Sequence, residues 1–341
     1  MPTERVLITG ATGFIGSTLA RRLVARGVPV RGLVRPGSES RLPAGVEPFS
    51  GDLSNPASLT GASAGCSVVY NVAALLGEPS GRGREAEAYT VRVNVDGAVA
   101  LGRDALAAGA RRFVQVSTVG VYGLADSPSI TEETAAAPDT LYHRTKYEAD
   151  RGLLALSTRE KLPLVVVRPP ITVGPGNDKT HLLKMARLAA RNRFPTFGSD
   201  LTQRLPLVHV DDLCDALELA SSVGPAGETY LISSGECYSF GEILSALARL
   251  SGATSGTVYC PAWVADLAAP LFEALGSIVP VAPPLTRQKL RAFRQDRVVS
   301  IDRAKRILGF APRHTGLEDL LRSALEDYRA RGLLPPAKPS A

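Results

Sequence analysis

The sequence predicts an α/β protein: a doubly wound parallel sheet with helices on both faces, plus a smaller, mostly helical C-terminal substrate domain. Three observations predict it. Short β-branched apolar runs alternate with stretches of helical periodicity through the first half of the chain. The runs are continuously apolar, as strands covered on both faces of a parallel sheet must be. The first run passes through three closely spaced glycines directly into a helical pattern.

The elements follow in order. The run Val6–Thr9 leads through Gly10, Thr12, Gly13, Phe14, Ile15 and Gly16 into the helical stretch STLARRLVAR. A strand, a glycine-rich turn and a helix start make an anion site, because unpaired backbone N–H groups and the helix dipole both favour a pyrophosphate. Glycines there serve the tight turn, the close approach of the phosphate and helix–strand packing. The segment is therefore expected to hold a dinucleotide. The next run, Val28–Val34, ends where an acidic residue would grip the ribose hydroxyls of NAD. Val34 stands there and Arg35 follows, with Ser38 and Arg41 nearby. A cation suits a 2′-phosphate, so NADP(H) is expected in preference to NAD(H). In SGDLSN, Asp52 and Leu53 follow a further strand, and Asp52 either meets the adenine amino group or closes a turn. The run Val68–Val72 opens onto Ala73 and Ala74, small residues that admit a cofactor.

The helical stretch VDGAVALGRDALAAGA precedes the run Phe113–Ser117, which delivers Ser117 or Thr118 to the carboxyl edge of the sheet. Tyr142 and Lys146 come next, four apart and so on one helix face. A phenol near pKa 10 is a poor base at neutral pH. A neighbouring ammonium and an oxidised nicotinamide ring favour its ionised form. A hydroxyl, a phenol and an ammonium together form an acid/base set for hydride transfer at a carbinol carbon.

The strand–helix alternation breaks after the run Leu164–Arg168, where proline and glycine gather in RPPITVGPGND. Residues 1–170 with 207–233 are expected to form the cofactor domain, because LPLVHVDDLCDALELA and TYLIS look like a return to it. Residues 171–206 with 234–330 form the expected substrate domain, and 331–341 a flexible tail. The length suits about two domains. The net charge of +6 is scattered, which argues for small anionic ligands and against a nucleic-acid partner. The four cysteines form no CxxC pair and no secretory signal precedes the first strand, so a reducing cytoplasm is expected. The apolar run Ala262–Pro284 contains Asp266, Glu273 and several prolines, so it reads as a substrate lid or ordinary helix, not a membrane span. Trp263 and Tyr238 belong to the core or to the cleft. His209, Asp211 and Asp212 read as a helix start, and with no HxxxH spacing no metal is expected. His143 is expected to face solvent, and Asp126, Glu132 and Glu133 to be loop charges.

The motifs TGATGFIG, GDLSN, NVAA, VNVDG, VSTVGVYG, YHRTK, RPPITVGPG and LVHVDDL together resemble the extended short-chain dehydrogenase/reductase family of epimerase/dehydratase-like enzymes. The resemblance runs from Val6 to RAKRILGFAPR and beyond. It implies an NAD(P)-dependent Rossmann enzyme, an expected homodimer, with a Ser/Thr–Tyr–Lys centre. Thr118 matches the hydroxyl, with Ser117 second; Asn94 matches a helix position supporting the site, and Pro169 to Ile171 the loop under the nicotinamide. Sugar 4,6-dehydratases of the family carry Asp-Glu after that Thr, whereas Val119 and Gly120 stand here. Nucleotide-sugar enzymes place Asn where Ile171 stands. The apolar C-terminal run is similar to hydroxysteroid-dehydrogenase-like and dihydroflavonol-reductase-like members. The resemblance thus favours ketone/alcohol chemistry on an apolar cyclic substrate. A nucleotide-sugar 4-epimerase is the alternative, with Arg204 available to a diphosphate. A non-catalytic NADP sensor is disfavoured because Tyr142 and Lys146 are both present.

Overall fold

The computed structural model describes residues 4–76, 83–123, 129–177, 181–197, 201–253, 257–260, 264 and 296–336. The chain runs β1 (Arg5–Thr9), α1 (Phe14–Ala25), β2 (Val30–Val34), β3 (Val46–Ser50), β4 (Cys66–Asn71), α2 (Arg84–Val91), α3 (Gly97–Ala107), β5 (Arg112–Val116), α4 (Leu141–Glu160) and β6 (Leu164–Arg168). It continues as β7 (Ile171–Val173), α5 (His181–Ala189), β8 (Phe194–Phe197), β9 (Arg204–His209), α6 (Val210–Ser222), β10 (Thr229–Leu231), β11 (Cys237–Ser239), α7 (Phe240–Leu250), β12 (Thr257–Cys260) and α8 (Leu317–Ala330).

Seven strands pair in parallel in the order β3-β2-β1-β4-β5-β6-β10. The expected apolar runs are β1, β2, β4, β5 and β6. Strand β3 has a weaker pattern because Glu47 and Pro48 interrupt it, and an edge strand tolerates proline. Successive residues serve opposite faces. Ile8 and Val114 pack with Leu19, Leu213 and Leu217 on one side of the sheet. Leu7 and Phe113 pack with Leu101 and Leu153 on the other. The strand order reverses between β1 and β4, which opens a crevice at their carboxyl ends.

TYLIS does return to this sheet, as β10 beside β6. The segment before it divides. Strand β9 joins β7 and β11 in a three-stranded sheet, while α6 packs against α1 on the main sheet. A separate core of Leu183, Leu207, Leu247, Leu321 and Tyr328 binds α5, α7 and α8 together, and β8 pairs with β12. His209 caps α6, its Nδ1 accepting from the Asp211 N–H, and Asp211 and Asp212 fill the first turn, as expected.

Other expectations are corrected, narrowed or fall outside the described residues. Glu132 is not a loose loop charge: its buried carboxylate accepts from the Leu231 N–H at 3.0 Å and faces Arg303, which also pairs with Glu133. Burial pushes the Glu132 carboxyl up. The start of the expected flexible tail is held, because Leu334 is buried and the N–H groups of Leu333 and Leu334 donate to the Tyr328 carbonyl. Tyr238 packs on the C-terminal core and donates to the Thr315 carbonyl. Asp126, Trp263 and, apart from Val264, the run Ala262–Pro284 lie outside the described residues. Among the described residues no His/Cys/Asp/Glu group could hold a metal ion, and no helix is long and apolar enough to cross a membrane.

Candidate active site

The glycine turn comes first. Gly10 has a φ of +69°, and a Cβ there would lie 3.0 Å from the backbone N of Ala73. A Cβ on Gly16 would lie 2.3 Å from the Gly10 carbonyl oxygen, so the helix can approach the turn only as glycine. Gly13, exposed, is the N-cap of α1. That helix start has no side-chain cap and no acid in its first turn. Phe14 and Ile15 pack partly on the core behind it, and Thr12 is half-buried. An open, uncapped helix start with no competing carboxylate fits a pyrophosphate.

A polar ladder ties the adjacent strand ends. Thr9 Oγ1 donates to Asn71 Oδ1 at 2.7 Å and accepts from the N–H groups of Val72 and Ala73. Asn71 Nδ2 donates in turn to Gln115 Oε1 at 2.7 Å. The loop holding Ala73 and Ala74 is thereby folded onto Gly10. Asn94 lies in a π-helical turn, Arg92–Asp96, where it accepts from the Leu75 N–H and donates to the Leu75 carbonyl and to Thr145 Oγ1. It therefore clamps that loop to α4. Leu53 is buried against Gly97, where a Cβ would lie 2.4 Å from its carbonyl oxygen. Asp52 closes a turn, its Oδ1 accepting from the Ser54 N–H at 2.8 Å. Arg35 leaves the end of β2 exposed, and its guanidinium meets no partner among the described residues; Ser38 and Arg41 stand beside it.

Helix α4 begins at Thr140, whose side chain accepts from the His143 N–H. Its Lys146 is only 2% exposed and its Tyr142 is half-buried. Burial pulls the Lys146 ammonium down to about 8, opposed by the Asp150 carboxylate one turn on. Burial pushes the Tyr142 phenol up, and Asp150 adds to the effect. Burial and Asp150 thus favour the protonated phenol, and the lowering expected of a lysine neighbour does not appear.

The two candidate hydroxyls separate. Ser117 is buried and donates to Asp150 Oδ2 at 2.7 Å. The same oxygen accepts from Arg168 Nη2 at 3.0 Å and Nε at 3.2 Å. Arg168 Nη1 donates to the Tyr122 hydroxyl at 2.8 Å, with its guanidinium over that ring. Ser117 is therefore part of a buried network beneath the site. Thr118 is half-buried, and its Oγ1 accepts from the Gly120 N–H, which leaves its own proton to give. The Pro169 carbonyl accepts from the Val119 N–H, and Ile171, which opens β7, is 52% exposed.

His143 does not face solvent. Its side chain is 17% exposed, its Nδ1 lies 2.6 Å from Asp139 Oδ1, and its ring packs on Gly120 and obliquely against Tyr142. The turn Val119–Tyr122 covers it, because Gly120 presents no side chain to push it outward.

From Arg35 at β2 to Thr118 at β5 the site spans three strand spacings, about 14 Å along one sheet edge. The sequence reading missed Asp150, Arg168, Thr9, Asn71 and Gln115. Their signal is polarity where the pattern is apolar: Gln115 interrupts β5, and Asp150 shares the inward face of Lys146.

The comparisons agree with this geometry. A family model described as the NAD dependent epimerase/dehydratase family matches residues 6–233. The chain is 32% identical over 333 residues to the 4-hydroxy-2-methyl-3-oxo-4-farnesyl-3,4-dihydroquinoline-1-oxide ketoreductase of Stigmatella aurantiaca, covering 94% of this chain and 96% of that one. It is 28% identical to the UDP-glucose 4-epimerase of Vibrio cholerae, over 79% of this chain and 82% of that one. The crystal structure of gox2253 superposes with a TM-score of 0.81 at 30% identity, covering 97% of this chain and all of the other. A glycine turn under a doubly wound sheet, a YxxxK helix beside it and these likenesses over nearly the whole length lead to one conclusion: the chain is an enzyme of the NAD dependent epimerase/dehydratase family, the extended short-chain dehydrogenases/reductases.

Proposed function

We propose that the protein is an NADP(H)-preferring oxidoreductase that interconverts a secondary alcohol and a ketone on an apolar cyclic substrate. The observation that supports this reading is a phenol held protonated by burial, Tyr142, on the helix that carries the buried Lys146, together with a half-buried Thr118 hydroxyl at the end of β5 whose own proton is free to give. Gly10, Thr12, Gly13, Phe14, Ile15 and Gly16 would hold the pyrophosphate. Arg35 would hold the 2′-phosphate, and Leu53, Ala73, Ala74, Asn94, Pro169 and Ile171 would border the dinucleotide. When bound, the nicotinamide supplies or accepts the hydride. Thr118 and Tyr142 hydrogen-bond the reacting oxygen, and Tyr142 gives it a proton as the ketone becomes an alcohol. Lys146 holds the nicotinamide ribose and supports the phenolate left behind.

Ile171 offers a diphosphate no hydrogen bond. Arg204 is partly engaged, its Nη2 donating to the Cys237 carbonyl at 3.1 Å. The Stigmatella relative, by its name, acts on a farnesylated ring with a keto group next to a hydroxylated carbon. The test offers purified protein, NADPH and a panel of cyclic and aromatic ketones, and separately UDP-glucose with NAD(H). Loss of nicotinamide absorbance with the ketones is expected. Formation of the 4-epimer from UDP-glucose, with every ketone inert, would promote the epimerase reading.

Arg35→Ala is expected to weaken NADPH binding tenfold to a hundredfold, or about 1.5–3 kcal/mol, because a charge-assisted phosphate contact is lost. NADH binding should stay unchanged. Fluorescence titration of both cofactors measures this, and equal losses for the two would contradict the assignment.

A further inference from the structure

The imidazoles of His209 and His314 stack where the main sheet meets the C-terminal core, outside the site described above. Their ring centroids are 3.9 Å apart and their planes are inclined by 22°. His209 is buried, and both of its nitrogens are engaged. Nδ1 lies 3.2 Å from the Asp211 backbone N–H, which can only donate. Nδ1 therefore presents a lone pair, and Nε2 carries the ring proton. Nε2 donates to Ser323 Oγ on α8 at 2.9 Å. One neutral ring thus caps α6 with one nitrogen and fastens α8 with the other.

Helix α8 in turn braces β7. Asp327 Oδ2 accepts from the Gly176 N–H at 2.9 Å, and the Tyr328 hydroxyl donates to the Asn177 carbonyl. Asn177 Nδ2 donates to the Thr172 carbonyl of β7 at 2.8 Å. Strand β7 pairs with β9, where Val173 stands opposite His209. A Cβ on Gly174 would lie 3.3 Å from His209 Nε2, so the end of β7 lies against the ring. His209 therefore joins α6, α8 and the strand that Ile171 opens.

A second proton on this ring has no ready partner. At Nδ1 it would meet the Asp211 N–H, donor against donor, and the α6 cap would be lost. Asp211 Oδ2 is 3.6 Å away. Charged groups surround the ring. On α6 stand Asp211 and Asp212, with Asp215 one turn on. Asp212 is already committed, accepting from the N–H groups of Arg313 and His314 and lying 3.0 Å from His314 Nδ1. On α1, Arg22 pairs with Asp211 and Asp215. Ahead of α8, Arg313 also pairs with Asp212 and Asp215. On α8 stands Asp319. Burial first, and His314 second, hold the His209 imidazole below its ordinary value, against the pull of Asp211, Asp212 and Asp319.

We propose that His209 is an acid-sensitive clip: neutral, it holds α8 against α6 and β7, and protonated, it releases α8 and loosens the strand behind Ile171. When the clip opens, His209 takes a proton at its ordinary value of about 6.5. When the clip is closed, it takes one only at lower pH. The clip is therefore fully stable above that range and weakens as pH falls through it. The device goes beyond the proposed reaction and does not depend on it.

Hydrogen–deuterium exchange of the full chain at about pH 7.5 and about pH 5.5, corrected for the intrinsic exchange rate, tests this. Protection of α8 and of the first turn of α6 is expected to fall by a factor approaching about tenfold, the ratio of charged to neutral imidazole at the lower pH. Helix α3, on the opposite face of the main sheet, is the control and should change much less. Two variants remove the titration and keep one bond each. His209→Asn keeps a capping oxygen for α6, and His209→Gln keeps an amide donor toward Ser323. In either, the acid loss in α8 is expected to shrink to within about twofold. Wild-type α8 protection that does not fall, or falls no more than that of α3, overturns the inference. A fall of wild-type size in whichever variant folds overturns it too.

Discussion

Tyr142→Phe is expected to bind NADPH as the wild type does and to reduce ketones about 10²–10⁴-fold more slowly, the usual worth of a general acid. The substitution keeps the ring, its half-buried packing and its contact with His143, and removes only the hydroxyl. Burial and the Asp150 carboxylate both hold the wild-type phenol protonated, so the proton it gives in reduction is present at neutral pH. Removing it leaves Thr118 to polarise the carbonyl without a proton to deliver. Steady-state absorbance kinetics with a cofactor titration beside them separate the two effects. A variant with normal rates would mean that the Tyr142 face of α4 is structural.

Asp150→Ala is expected to destabilise the protein by about 3–5 kcal/mol, because it strands a buried cation. Asp150 is fully buried, and one of its oxygens accepts from both Ser117 and Arg168. Without it the Arg168 guanidinium keeps Tyr122 as its partner and has no counter-charge among its described contacts. Lys146 also loses the carboxylate that opposes burial, so its ammonium should fall further below about 8. The variant should therefore unfold at lower urea and bind cofactor more weakly above neutral pH. Urea unfolding followed by circular dichroism measures the first effect. A midpoint equal to wild type would show that the network contributes little.

Much of this was legible in the sequence for a physical reason. Buried parallel strands need unbroken apolar runs, so β1, β2, β4, β5 and β6 announce themselves, whereas edge strand β3 with Pro48 does not. Gly10 and Gly16 are legible because backbone contacts exclude any side chain. The YxxxK pair is legible because helix periodicity puts both residues on one face. The Ser117–Asp150–Arg168–Tyr122 network was not, because its members come from three separated segments and meet only when β5 with its following turn, α4 and β6 pack. His143 was misread for the same reason. Its covering turn is placed by β5, and nothing local to YHRTK reveals it.

The central claim is that the site moves a hydride between nicotinamide and a substrate carbon while Tyr142 handles the proton. The most direct measurement supplies NADPH deuterated at C4 to the wild-type enzyme with a ketone that it consumes, and locates the label in the product by NMR. The account predicts one deuterium on the new carbinol carbon, on a single face, from only one of the two C4 positions. Product lacking deuterium from either C4-labelled cofactor, or a cofactor that stays unoxidised while the substrate changes, would contradict it.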